Sequence, residues 1–91
     1  MANVIWRPEA LDQLDETAAY IEQHHPAAAD RIYTRLRDLG DSLRSSPRRG
    51  RPMPGGLRRS VVVQPYILSY EVQGETVYII RVRHSARRPL T

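Results

Sequence analysis

Two runs of apolar residues at helical spacing stand back to back in the first half of this chain, with a proline between them. Leu11, Leu14, Ala18 and Ile21 recur at steps of three and four, and Ala29, Ile32, Leu36, Leu39 and Leu43 do the same. Each set lines one face of a helix. Pro8 followed by Glu9 starts the first, because proline at the first helical position gives up no needed N–H. His24-His25-Pro26 ends it, since the residue before a proline is pushed out of the α region, and Pro26 itself can open the second helix. So short a connection predicts an antiparallel helical hairpin over roughly residues 8–25 and 26–45.

The rest of the chain has strand character. Val4, Ile5 and Trp6 form a brief β-type stretch ahead of the hairpin. After Ser45-Ser46-Pro47, the segment SSPRRGRPMPGG up to Gly56 is too rich in Pro and Gly to be regular, and reads as a linker carrying Arg48, Arg49 and Arg51. Three β-prone runs follow, LRRSVVV, YILSYEV and TVYIIRVRH, separated by Gln64-Pro65 and Gln73-Gly74-Glu75. Short turns between such runs predict an antiparallel meander. The expected fold is therefore α+β: an N-terminal strand, a helical hairpin, then a three-stranded antiparallel meander. Together the strands would form one four-stranded, mainly antiparallel sheet with the hairpin over one face, in a single domain spanning residues 1–91.

Alternation sets the faces. Tyr66, Leu68, Tyr70 and Val72 should face the helices, with Ile67, Ser69 and Glu71 opposite. In the last run Tyr78, Ile80 and Val82 share one parity, and Val77, Ile79, Arg81 and Arg83 the other. His84 falls on the Val82 side.

Charge divides along the same boundary. All 14 basic residues are arginine, which removes any lysine-dependent chemistry. Residues 1–45 hold five arginines against eight acids, a net of −3, and residues 46–91 hold nine against two, a net of +7. The second half should present a positive field to an anionic partner. There is no cysteine, hence no disulfide, thiolate nucleophile or cysteine-based zinc site. The opening MANVIWRPEA lacks a charged start followed by an apolar stretch, and no apolar run approaches membrane-spanning length. A soluble, cytoplasmic protein with no membrane partner is expected.

The order of elements and several local motifs resemble the RelE/ParE superfamily of bacterial toxins. The likeness covers nearly the whole chain: an opening strand leading into EALDQLDETAAYIEQ, a second helix, the loop SPRRGRPMPGGLRR, a Tyr-Ile-Leu-Ser-Tyr strand and a closing IIRVRHSARRP. The closing run and the loop pattern of Pro, Gly and Leu-Arg are more similar to ParE than to RelE. The resemblance implies the toxin of a type II toxin–antitoxin module, used for instance in plasmid stabilisation and neutralised by a cognate ParD-like antitoxin. ParE-type members are linked to poisoning of DNA gyrase, and RelE-type members cleave messenger RNA on the ribosome. One fold serves both, so the residues must choose.

Metal-independent RNA cleavage needs a base for the ribose 2′-hydroxyl, an acid for the leaving oxygen and cations at the phosphate. Arg58, Arg59, Arg81 and Arg83 could supply cations. His84 is the candidate acid or base, since an imidazole changes charge near neutrality. The resemblance to RelE would add a C-terminal tyrosine and lysines, and SARRPLT after His84 contains neither. We therefore expect no catalytic residue, a structural His84 that closes the end of the sheet, and a gyrase-inhibiting toxin. The alternatives are a RelE-like messenger endoribonuclease and a nontoxic basic binding module. Arg58, Arg59, Arg81, Arg83, Arg87 and Arg88 are the expected partner-binding residues, because the meander brings them near one another and their mutual repulsion is relieved by an anion.

No cofactor or metal is expected. His24 and His25 are adjacent, share no helix face, and read as solvated residues at a helix end. Sequence-specific DNA binding is not expected either. Asp12, Asp15, Glu16 and Glu22 line the first helix and Asp30, Asp38 and Asp41 the second, so neither makes a recognition helix. Tyr20 and Tyr33 sit beside the stripes, where core or hairpin packing is the expectation.

Overall fold

The computed structural model describes residues 1–54 and 58–86. Its elements run β1 (Asn3–Trp6), α1 (Pro8–His24), α2 (Pro26–Ser42), β2 (Arg51–Pro52), β3 (Arg58–Val63), β4 (Tyr66–Gln73) and β5 (Thr76–His84). Both helices carry proline in their first turn, and His25 is the hinge between them. It ends α1 by donating its N–H to the Ile21 carbonyl, and its own carbonyl accepts from Ala28 and Ala29.

The strands form one sheet in the order β1-β5-β4-β3-β2. The meander β3-β4-β5 is antiparallel, as its turns dictate. At its tightest corner Gln73 pairs with Thr76 and Gly74 has a φ of +60°, the conformation that the first position of a II′-type hairpin turn requires. The chain departs from the four-stranded expectation at both sheet edges. β1 pairs parallel with β5, because the helical hairpin returns the chain to the far side of the sheet, which makes the sheet mixed. The supposedly irregular linker supplies a fifth strand. Arg51 and Pro52 pair antiparallel with Ser60 and Arg59. Proline is tolerated there because an edge strand needs its N–H on one side only.

The hairpin covers one face. Leu14 of α1, Leu36 of α2 and Leu43 just beyond it are fully buried, with Ile21, Ile32 and Leu39 packed around them. From the sheet come Val61, Val63, Tyr66, Leu68, Tyr70, Val72, Val77, Ile79 and Val82. The β4 set is the one its alternation predicts. In β5 the expected parity fails. The register passes from Tyr70–Ile79 to Ser69–Arg81, so Ile80 is an extra residue in a β-bulge. A bulge exchanges the two faces of the strand beyond it. Val77 and Ile79 therefore lie in the core before it and Val82 after it, while Tyr78 and Ile80 do not. Past Ile79, where the pairing of β5 with β1 ends, the Val82 N–H donates to Gln13 Oε1 of α1 at 2.8 Å.

Trp6 ties β1 to the end of α2. Its Nε1–H donates to Asp41 Oδ1 at 3.1 Å, and the Arg37 guanidinium stands 5.2 Å from the ring centroid. Tyr20 departs from the packing expectation. It is 58% exposed, with its ring edge on His24. Tyr33 packs against the core as expected.

Candidate partner-binding face

With the helices on one side, the opposite face of the sheet is left open, and strand register sorts its residues into rows. Val62, Ile67 and Arg83 are consecutive Cα partners across β3, β4 and β5. The next row is Ser60, Ser69 and Arg81, joined on β2 by Arg51. A third row holds Glu71 and Tyr78, with Ile5 of β1 beyond. Val62 and Ile5 are 48% and 46% exposed. The face is thus a mixture of cations and uncovered aliphatic side chains.

The six expected arginines are distributed unequally. Arg81 and Arg83 stand on the open face, two residues apart in β5. Arg58 pairs with Glu71, an open-face position, whereas Arg59 pairs with Tyr70, a core position. The two thus occupy alternate register positions, which a run of consecutive arginines could not reveal. Arg87 and Arg88 lie outside the described residues, as does Leu57. Arg51, which reads from sequence as a linker residue, is brought into the Ser60 row by β2.

That placement has a buried cause. The Tyr70 hydroxyl accepts a hydrogen bond from the Gly50 N–H at 2.8 Å, inside the protein. A Cβ on Gly50 would lie 2.5 Å from that hydroxyl oxygen and 2.9 Å from the Ser60 carbonyl. Only glycine lets the basic loop approach so closely, and Tyr70 fixes where Arg51 joins β3. Sequence offers one signal for this, a glycine amid arginines, and no sign of its partner.

His84 closes the end of β5. It is the Cα partner of Tyr66, whose ring it meets edge to face with centroids 5.4 Å apart. Its Nδ1 accepts the Ala86 N–H at 3.1 Å, and the next residue, Ser85, donates its N–H to the Pro65 carbonyl at 2.8 Å. The imidazole holds the turn by which the chain leaves the sheet.

At the opposite end of the open face, Arg7, Pro8, Glu9, Glu71 and Ile80 border an open cleft of about 380 Å³. The Arg7 guanidinium lies 5.1 Å from the Tyr78 ring centroid. The cleft mixes both signs of charge. Among the described residues no cluster of His, Asp and Glu could hold a metal ion, and no helix is long and apolar enough to cross a membrane. His24 and His25 are exposed, and so are the helical acids Asp12, Asp15, Glu16, Glu22, Asp30 and Asp38, while Asp41 is engaged by Trp6.

Residues 4–89 match the family model described as ParE toxin of type II toxin-antitoxin system, parDE. The chain belongs to the ParE toxin family. Among curated relatives, Toxin RelE2 of Caulobacter vibrioides is 45% identical over 87 residues, covering 96% of this chain and 99% of that protein. The putative toxin Y4kP of Sinorhizobium fredii is 38% identical, covering 88% and 84%. Among solved structures, a chain of the chromosomal ParDE toxin–antitoxin system from P. aeruginosa superposes with a TM-score of 0.83 at 19% identity, covering 92% and 96%. A chain of the toxin–antitoxin complex RelBE2 from Mycobacterium tuberculosis superposes with a TM-score of 0.68 at 24% identity, covering 91% and 96%. At such identities the two structures speak for the fold. The relatives bear both RelE and ParE names, so the superfamily is established and the target is not distinguished by name.

Proposed function

We propose that this ParE-family chain is a toxin that acts by binding its target, with DNA gyrase the target class, and that a cognate ParD-like antitoxin neutralises it. The observation that carries the reading is the engagement of His84. Its Nδ1 is occupied by the Ala86 N–H and its ring by Tyr66. These contacts use His84 to hold the turn that ends the sheet, and cleavage needs two proton-exchanging groups, of which SARRPLT after His84 supplies no second in the form of a His, Tyr or carboxylate. The arginines of the second half, Arg58, Arg81, Arg83, Arg87 and Arg88 among them, then serve binding, with Arg59 set apart by its register.

Purified toxin should inhibit gyrase supercoiling or trap cleaved DNA while transcripts on translating ribosomes stay intact. Cleaved messages with unaffected supercoiling would replace this reading by the ribonuclease one. A chain inert in both assays would be a nontoxic binding module. Co-expression with the adjacent reading frame tests the antitoxin. The two products should co-purify, and growth should be restored.

A further inference from the structure

The two edges of the sheet are defended unequally. β2 closes one of them with a two-residue strand that includes Pro52, which has no N–H, and that stands beside Arg48 and Arg49 and itself carries Arg51. Proline and clustered like charge are devices that keep an edge from pairing with another chain. β1, NVIW, forms the other edge with neither proline nor charge. Its Asn3 N–H donates to the Glu75 carbonyl, and the Arg7 N–H just beyond it donates to the Ile79 carbonyl. In a strand the backbone groups of alternate residues point to the same side. Ile5 therefore also faces β5, and Val4 and Trp6 direct their N–H and C=O groups away from the sheet. The outward Ala2 N–H is taken by the Arg44 carbonyl at 2.9 Å. Past Trp6 the chain meets Pro8 and enters α1. The open part of the edge is thus Val4 to Trp6, with Ile5 at its centre and 46% exposed on the open face.

We infer that β1 pairs antiparallel with β1 of a second copy of this chain, across a two-fold axis at Ile5. In that register the open segment complements itself. Val4 lies opposite the partner's Trp6, and each donates its N–H to the other's carbonyl, so that every outward group gains a partner. Ile5, whose own backbone groups face β5, lies opposite the partner's Ile5 as a non-hydrogen-bonded pair. Cα atoms of such pairs approach to about 4.5 Å and their side chains touch. On the core face the half-buried Val4 meets the partner's half-buried Trp6. Asn3 falls opposite the partner's Arg7, an amide against a guanidinium. Ala2, already engaged by Arg44, falls opposite the partner's Pro8, which has no N–H to leave unpaired. Charge beside the seam is mixed, with Arg37 and Asp41 paired at 3.9 Å next to Trp6 and Arg44 next to Ala2. An arriving copy is therefore spared the like-charge field of the β2 edge. A peptide of another protein would satisfy the backbone alone, whereas a second copy also brings an isoleucine to the exposed Ile5 and a tryptophan to Val4. So short a seam makes a weak dimer. It leaves the arginines of each open face uncovered, and it is independent of which target the toxin has.

The test uses the full chain, which has no cysteine of its own. Ile5→Cys should oxidise to a disulfide-linked dimer, because the opposed residues of a non-hydrogen-bonded pair lie within disulfide reach. Val62→Cys, at a comparably exposed position on β3, should cross-link far more slowly. In sedimentation velocity the native chain should pass from monomer to dimer as its concentration rises. Ile5→Lys should raise the dimer Kd at least about tenfold, by removing the apolar contact and setting like charges opposite each other, and Val62→Lys should leave it unchanged. An equimolar mixture of Ile5→Lys and Ile5→Glu chains should associate more tightly than either alone, since position 5 meets its own copy only across the two-fold axis. Thermal midpoints near that of the native chain show that the variants are folded. A native chain that remains monomeric at millimolar concentration overturns the proposal. So does a dimer that Ile5→Lys and Val62→Lys weaken equally, a pair of cysteine variants that cross-link at the same rate, or a mixture that associates no better than its components.

Discussion

Trp6 and Gly40 share one volume: a Cβ on Gly40 would lie 2.3 Å from Trp6 Cζ2 and 3.0 Å from Cη2. The indole cannot withdraw, because its N–H is bound to Asp41 and Arg37 lies over its ring. Gly40→Ala should therefore destabilise the protein although it improves helix propensity. Overpacking costs about 1–3 kcal/mol, and the exchange of a helical glycine for alanine returns at most about 1. A drop in thermal midpoint of roughly 4–8 °C is expected for each net kcal/mol. In a Trp6→Leu background the same change should cost much less, as a double-mutant cycle by thermal denaturation would show. Equal costs in both backgrounds would mean the two residues are not coupled.

Tyr70→Phe deletes the acceptor of the Gly50 N–H and keeps the ring. The expected loss is about 1–3 kcal/mol in urea denaturation. Because this bond fixes where Arg51 joins β3, amide hydrogen exchange across residues 46–52 should accelerate more than across α1. Gly50→Ala should show the same pattern, since its Cβ would press on the Tyr70 hydroxyl and the Ser60 carbonyl. Uniform acceleration throughout the chain would remove the local anchoring role.

Gln13 accepts the Val82 N–H of β5, beyond the end of the β1–β5 pairing. Gln13→Ala should cost about 1–3 kcal/mol by stranding that donor. Gln13→Glu keeps an acceptor oxygen and should recover most of it. If Glu fails as badly as Ala, the contribution of Gln13 is packing rather than this bond.

His84→Asn and His84→Gln both keep an acceptor for the Ala86 N–H and cannot titrate near neutrality. Toxicity should persist in both. A catalytic acid or base would contribute about 10²–10⁴-fold, so a loss of that size in a folded variant would transfer the histidine to the chemistry.

Arg87→Ala with Arg88→Ala should weaken toxicity and make the remainder more sensitive to salt, since exposed charges act within roughly a Debye length, about 10 Å at moderate ionic strength. Stability should change by about 0.5 kcal/mol or less. Salt-independent loss of activity together with a fall in thermal midpoint would point to a structural tail.

The local periodicities determined the architecture. Stripes at steps of three and four could only be helices, Pro26 could only separate them, and Gly74 could sit in a tight turn without strain. The β4 alternation likewise selected Tyr66, Leu68, Tyr70 and Val72 for the core, because a strand without irregularities keeps a period of two. Tertiary structure decided what depends on a partner distant in sequence. The bulge at Ile80 reversed the faces of β5, and the Val82 N–H beyond it is met by a glutamine 69 positions away. Arg51 entered the sheet because Tyr70 reaches Gly50 from 20 positions away. Arg58 and Arg59, adjacent in sequence, took alternate positions in the register. Which cations gather on one surface is set by strand pairing, and pairing is a long-range relation that no local pattern encodes.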